Sequence, residues 1–164
     1  MINFQCKKEE NITPKIDVSN ITEIDEHGML TGRIDSTDWK KTVLNSSELA
    51  LFQKPTQAQL INTQTANISV HYAYPNSTSG ILYYSSNISK FTLLQLVITD
   101  NMLSIKDRFF VTNLGTNDTD IELVQLKFNS DKYSNNTNYR IYYGYYSLAD
   151  GMYFSGYGDI KINR

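Results

Sequence analysis

The chain has 164 residues, 15 of them basic and 17 acidic, giving a formal charge of −2. A chain of this length suits one domain with a single core, and its near-balanced charge supplies no electrostatic reason to expect nucleic acid, whose binders carry clustered positive charge, so no nucleic-acid partner is expected. Its one cysteine, Cys6, has no second thiol to pair with, so no internal disulfide forms.

Asparagine, isoleucine, lysine, serine, threonine and tyrosine dominate in the proportions that an AT-rich genome produces. Two signals are discounted on that ground. The sequons at Asn11, Asn20, Asn45, Asn67, Asn76, Asn87, Asn117 and Asn135 arise readily by accident in such a chain, and so do many of the 12 tyrosines.

The first segment in chain order is a spacer. Residues 7–27, from "KKEENITPKIDVSN" through "ITEIDEH", hold few large apolar side chains and keep no period, so they bury too little surface to offset the entropy of ordering them. The pattern predicts a flexible amino-terminal tether over residues 1–27, with a first strand at most around Ile16 to Ile24, and a β domain over 28–164. One short helix follows. "NSSELALFQKP" places Asn45 as N-cap and Glu48 three residues on, a capping box, and Pro55 stops the run.

Strands occupy the remainder. "NISVHYAY" alternates, with Ile68, Val70, Tyr72 and Tyr74 on one face, and "PNSTSG" turns the chain into "GILYYS". "FTLLQLVIT" is apolar on both faces from Leu93 to Ile98, as a central strand would be, and Asp100-Asn101 turns it into "MLSIKDRFFVT". In "DTDIELVQLKFN" the apolar parity shifts between Leu123 and Val124, which predicts a bulge near Leu123 to Gln125. "NYRIYYGYYSL" and "MYFSGYGDIKI" close the chain as a hairpin around Ala149-Asp150-Gly151. Seven to nine short strands and one helix predict an all-β fold, an antiparallel immunoglobulin-like β-sandwich, with a small barrel as the alternative.

Chemistry-bearing constellations are sparse. His27 falls in the spacer and His71 on a strand, and neither comes with a nucleophile motif, so no catalytic residue and no cofactor are expected. Asp118, Asp120 and Glu122 have the one-three-five spacing of a calcium loop, but Leu123 stands where glycine should turn it and Asn129 where a bidentate glutamate should close it, so no metal is expected. Trp39, the one tryptophan, is a candidate binding residue whose ring would otherwise cover the open end of the sandwich. The terminal hairpin offers more. Tyr142 and Tyr146 share one face of its first strand, and with Tyr153 and Tyr157 of the second they would form an amphipathic platform for a sugar or a protein if left uncovered. Gly156 and Gly158 leave room for neighbouring rings to lean across.

Two resemblances suggest where the protein acts. Cys6 followed by a charged spacer resembles the mature start of a bacterial lipoprotein, and Cys6-Lys7-Lys8-Glu9-Glu10-Asn11 is similar to the Bacteroidota lipoprotein export signal of cysteine, any residue, lysine and two acids. "GRIDSTDWKK", "LALF", "HYAYPNSTSG", "YRIYYGYYS" and "YFSGYGDIKI" together resemble small flavobacterial-type Bacteroidota lipoproteins across most of residues 30–163. The resemblance implies lipidation at Cys6, export through Lys8, Glu9 and Glu10, anchoring on the outer membrane at the cell surface, and no enzymatic activity. "MINFQ" carries no apolar signal stretch, so with Met1 as the true start the chain would be cytoplasmic and Cys6 an exposed thiol. The expectation is a non-enzymatic, lipid-anchored accessory or recognition module of the cell envelope, with a glycan or a protein as its partner; the alternative is a carbohydrate-binding protein that uses a tyrosine-rich strand face.

Overall fold

A computed structural model of the protein describes residues 15–56, 67–69, 71–88, 92–112 and 121–164. The elements run β1 (Lys40–Lys41), α1 (Ser46–Leu49), β2 (His71–Tyr74), β3 (Ile81–Asn87), β4 (Leu93–Thr99), β5 (Ile105–Thr112), β6 (Ile121–Lys127), β7 (Thr137–Ser147) and β8 (Gly151–Ile162). They form two antiparallel sheets, one of five strands in the order β1-β8-β7-β4-β5 and one of three in the order β2-β3-β6. The sheets face each other as a β-sandwich.

The alternation of apolar residues sets the interior. Leu82, Tyr84 and Leu126 from the smaller sheet meet Leu94, Leu96, Ile98, Ile141, Tyr143, Tyr145, Ile160 and Ile162 from the larger one in a single buried cluster. Burial of that apolar area is the main favourable term in such a fold. The tyrosines in the cluster keep their hydroxyls satisfied: Tyr145 Oη lies 2.9 Å from Tyr84 Oη and 2.7 Å from Ser86 Oγ. Every residue of β4 is buried, because its second face is covered as well.

That second cover is a third layer. On the outer face of the larger sheet, Val97 and Tyr142 are packed beneath Leu44 and Leu51, with Ile16, Phe52, Leu103 and Tyr157 around them. Helix α1 contributes through its cap, which forms as the sequence predicts: Asn45 Oδ1 accepts from the Ser47 and Glu48 amides, and Glu48 Oε2 accepts from the Asn45 amide at 2.9 Å. Gly144 on β7 admits this layer, since a Cβ there would fall 2.9 Å from the Phe52 ring.

Three expectations are corrected. The stretch 15–27 is no tether: Val18, Ile21, Thr22 and Ile24 are buried against the sandwich, and Ile24 pairs with Asn76 through two backbone bonds of 2.8 Å. Sparse but well-placed apolar residues, together with side chains that take up its backbone groups, hold the segment where no period foretells it. Strand β2 also presents the opposite face from the one expected. Ala73 is fully buried and the His71 ring packs on Tyr143 and Phe154, so Tyr72 and Tyr74 point outward.

No bulge occurs in β6, which pairs with β3 in unbroken register from Ile81↔Lys127 to Asn87↔Ile121. Val124, Leu126 and Phe128 keep one parity inward, and Leu123 is simply an outward apolar residue, 55% exposed. The register shifts fall elsewhere, at Ile98/Thr99 between β4 and β5 and at Tyr145/Tyr146 between β7 and β8.

Candidate functional site

The outer face of the three-stranded sheet carries a strip of half-buried aromatic rings. Tyr74 and Tyr83 sit opposite one another in the β2–β3 register, and Tyr83 is paired in turn with Gln125 of β6. The ring centroids of Tyr72 and Tyr74 lie 5.7 Å apart at 32°, and those of Tyr74 and Tyr83 lie 6.0 Å apart at 38°. Gln125 Nε2 donates to Tyr83 Oη at 3.2 Å. Beside this strip, the loop 25–30 is held by Asp25 Oδ1, which accepts from the His27 and Met29 amides. Gly28 at its tip, in a left-handed conformation with φ of 78°, brings its backbone against Tyr72 and Tyr74. Met29 and Leu30 follow it and stand 64% and 58% exposed. Apolar ring faces, phenolic hydroxyls and an amide thus share one surface that the described residues leave half-buried, the mix on which amphipathic ligands are held.

The residues singled out from sequence are placed differently. Tyr142 and Tyr146 are both buried: Tyr142 lies under the third layer and donates to Glu48 Oε1 at 3.2 Å, and the Tyr146 hydroxyl lies 3.3 Å from the Gln95 side-chain amide. Burial raises the pKa of both phenols. Tyr157 is half-buried, edge-on to Tyr142 at 5.9 Å and capped by the Arg140 guanidinium 3.9 Å above its ring. Tyr153 is half-buried too, its hydroxyl 2.8 Å from Thr92 Oγ1. These four form no open platform. The layer over Tyr142 and Tyr157 is illegible in the sequence because residues 15–55 show no long amphipathic run.

Trp39 lies inside. Its ring stacks on Tyr143 at 6.4 Å and 14° and tilts against Tyr84, while Gly158 faces it so closely that a Cβ would collide with the indole. The indole N–H is sealed from solvent without a hydrogen-bond partner. His71 is comparably enclosed: desolvation lowers its pKa, against a weaker opposing pull from the Trp39 backbone, which keeps the imidazole neutral at pH 7. Asn76 cannot serve as a glycosylation acceptor in the folded chain, because its amide nitrogen donates to Thr22 O at 3.0 Å and Asp159 O at 2.8 Å. Cys6, Lys8, Glu9 and Glu10, and Asp118 and Asp120 of the calcium-like spacing, lie outside the described residues. Among the described residues, no three His, Cys, Asp or Glu side chains converge as a metal cage would.

A buried charge cluster lies where the amino-terminal segment meets β7 and β8. Arg140 bonds both oxygens of Asp159, at 2.6 and 2.7 Å, and gives a further bond of 2.5 Å to the Asp17 carbonyl. Asp38, 5% exposed, accepts from the Thr22 amide on one oxygen and the Asp159 amide on the other, each at 2.8 Å. Desolvation pushes its pKa up to about 6. Burial also raises Asp159, against the pull of Arg140. Beside this cluster is a shallow depression of about 350 Å³ bordered by Asp17, Asn20, Asp35 and Tyr157. Arg140 lines it too, its charge already paired with Asp159.

No family model matches the chain, and no curated protein or solved structure matches it either.

Proposed function

We propose that this chain is a non-enzymatic recognition module on an immunoglobulin-like sandwich, anchored at the outer face of the cell envelope by a lipid on Cys6, and that it engages its ligand through Tyr72, Tyr74 and Tyr83. The observation that carries the recognition is the half-buried aromatic strip on the smaller sheet, set against the covered outer face of the larger one. The immunoglobulin-like assignment draws support from strand order. Sheets β2-β3-β6 and β8-β7-β4-β5 correspond to strands A-B-E and G-F-C-C′ of that architecture. Tyr139 adds to it: near the start of β7, its hydroxyl accepts from the backbone amide of Ser134 at 2.7 Å, five residues upstream, as in a tyrosine corner.

The make-up of the strip favours a second, narrower reading, a neutral carbohydrate as the ligand. Ring faces suit the C–H faces of pyranoses, and the phenols and the Gln125 amide suit their hydroxyls. Affinity electrophoresis through gels cast with neutral polysaccharides tests it. Retardation of the wild type that is lost in Tyr72→Ala/Tyr83→Ala supports a sugar ligand; equal mobility in every gel refutes it and leaves a protein partner. The anchor is tested separately, by palmitate labelling of wild type and Cys6→Ala in a Bacteroidota host, with label expected on the wild type alone.

A further inference from the structure

Residues 15–24 lie as a strap over the Arg140 end of the larger sheet and reach across to the turn after β2. Nearly all its seats are neutral or charge-paired. The Ile16 amide donates to Asn101 O at 2.9 Å, the Asp17 carbonyl accepts from Arg140, the Val18 carbonyl accepts from Asn138 Nδ2 at 2.5 Å, and Ile24 pairs with Asn76. The exception is the Thr22 amide, which sits on the Asp38 carboxylate. Both Asp38 oxygens are spent on backbone amides, one from the strap and one from β8, and no ion pair joins it among the described residues. The nearby guanidinium forms its ion pair with Asp159 and bonds the Asp17 carbonyl, not Asp38. Two carboxylates and one cation are therefore enclosed together, leaving one negative charge uncompensated, an arrangement that costs free energy for as long as the strap keeps water out.

We infer that residues 15–24 form a proton-latched strap, in which a proton on Asp38 favours the seated state and its loss favours release. With the strap lifted, Asp38 is hydrated and binds a proton only as an ordinary aspartate does. The seated state binds it more readily, so by linkage acid favours seating. The groups that face Asp38 are Asp159 on β8, Arg140 and Tyr143 on β7, and, around the cluster's rim, Asp17 and Asp35. His71 on β2 adjoins through Tyr143 and titrates in the opposite sense, which makes local strap exchange a better readout than global stability. A consequence, which rests on the tyrosine-face reading, is that the strap runs into the 25–30 loop lodged against Tyr72 and Tyr74, so its release frees one border of the ligand surface.

Hydrogen exchange of the full chain at single-amide resolution tests the latch, with each rate normalised for intrinsic pH dependence. The Thr22 and Ile24 amides should gain about tenfold in protection between pH 7.5 and pH 5, with no matching gain at Leu96 in β4, and Asp38→Asn should flatten the gain. The proposal is overturned if Thr22 protection stays level or falls in the wild type, if Leu96 follows it, or if Asp38→Asn retains the rise. Should that variant not fold, the wild-type contrast between Thr22 and Leu96 decides alone. Neither result depends on sugar binding, so the latch and the ligand reading can fail independently.

Discussion

The two outer faces of this sandwich are built from the same residue and put to opposite use. On the five-stranded sheet, Tyr142 is roofed by Leu44 and Leu51 and, like Tyr146, becomes core; on the three-stranded sheet, among the described residues, Tyr72, Tyr74 and Tyr83 meet the 25–30 loop at one edge and stay half-buried. Tyrosine suits both places, since its ring gains from burial and its hydroxyl accepts either a protein partner or water. The role of a tyrosine here is decided by what the rest of the chain has available to lay over it.

The covered face has most to lose from substitution. Arg140→Ala should cost about 3–5 kcal/mol in urea unfolding, because it leaves Asp159 buried without its cation and takes a bond from the strap. Next comes a paired test of the roof. Leu51→Ala, which removes a buried side chain from the third layer, should cost about 2–3 kcal/mol, whereas Tyr83→Ala on the open face should cost no more than about 1. Comparable losses at the two sites would erase the distinction between the faces.

The smallest expected effects are in pH dependence, and they have opposite signs. His71 has a lowered pKa in the fold, so below its ordinary value the unfolded chain takes up a proton that the folded chain resists, and stability falls with acid. Asp38, raised to about 6 from 3.8, takes up its proton in the fold first, so its contribution improves as pH falls through that window. Urea midpoints at pH 7 and pH 5 should accordingly drop less in His71→Phe than in the wild type, and drop more in Asp38→Asn.

Much of the strand plan is legible in the sequence, because period-two alternation and turn residues report local geometry. The doubly apolar run Leu93–Ile98 marks the buried central strand, and the Asn45/Glu48 spacing marks the capped helix. Parity fails at β2, where a neutral histidine takes a core position that hydropathy assigns to its tyrosine neighbours. The strap fails for a different reason. Val18, Ile21 and Ile24 follow no strand or helix period, and their order comes from distant partners, Asp38, Asn76, Asn138 and Arg140, whose proximity only the folded topology creates. The open tyrosine strip needed both pieces, the β2 parity and the hairpin register that sets Tyr74 opposite Tyr83, before it could be recognised.

The contrast between the faces is tested most directly by mild nitration of the native protein with tetranitromethane, followed by peptide mapping. Modification should appear at Tyr72, Tyr74 and Tyr83 while Tyr142 and Tyr146 stay unmodified until the chain is unfolded. Nitration of Tyr142 and Tyr146 in the native state, with the smaller sheet's tyrosines protected, would contradict the account.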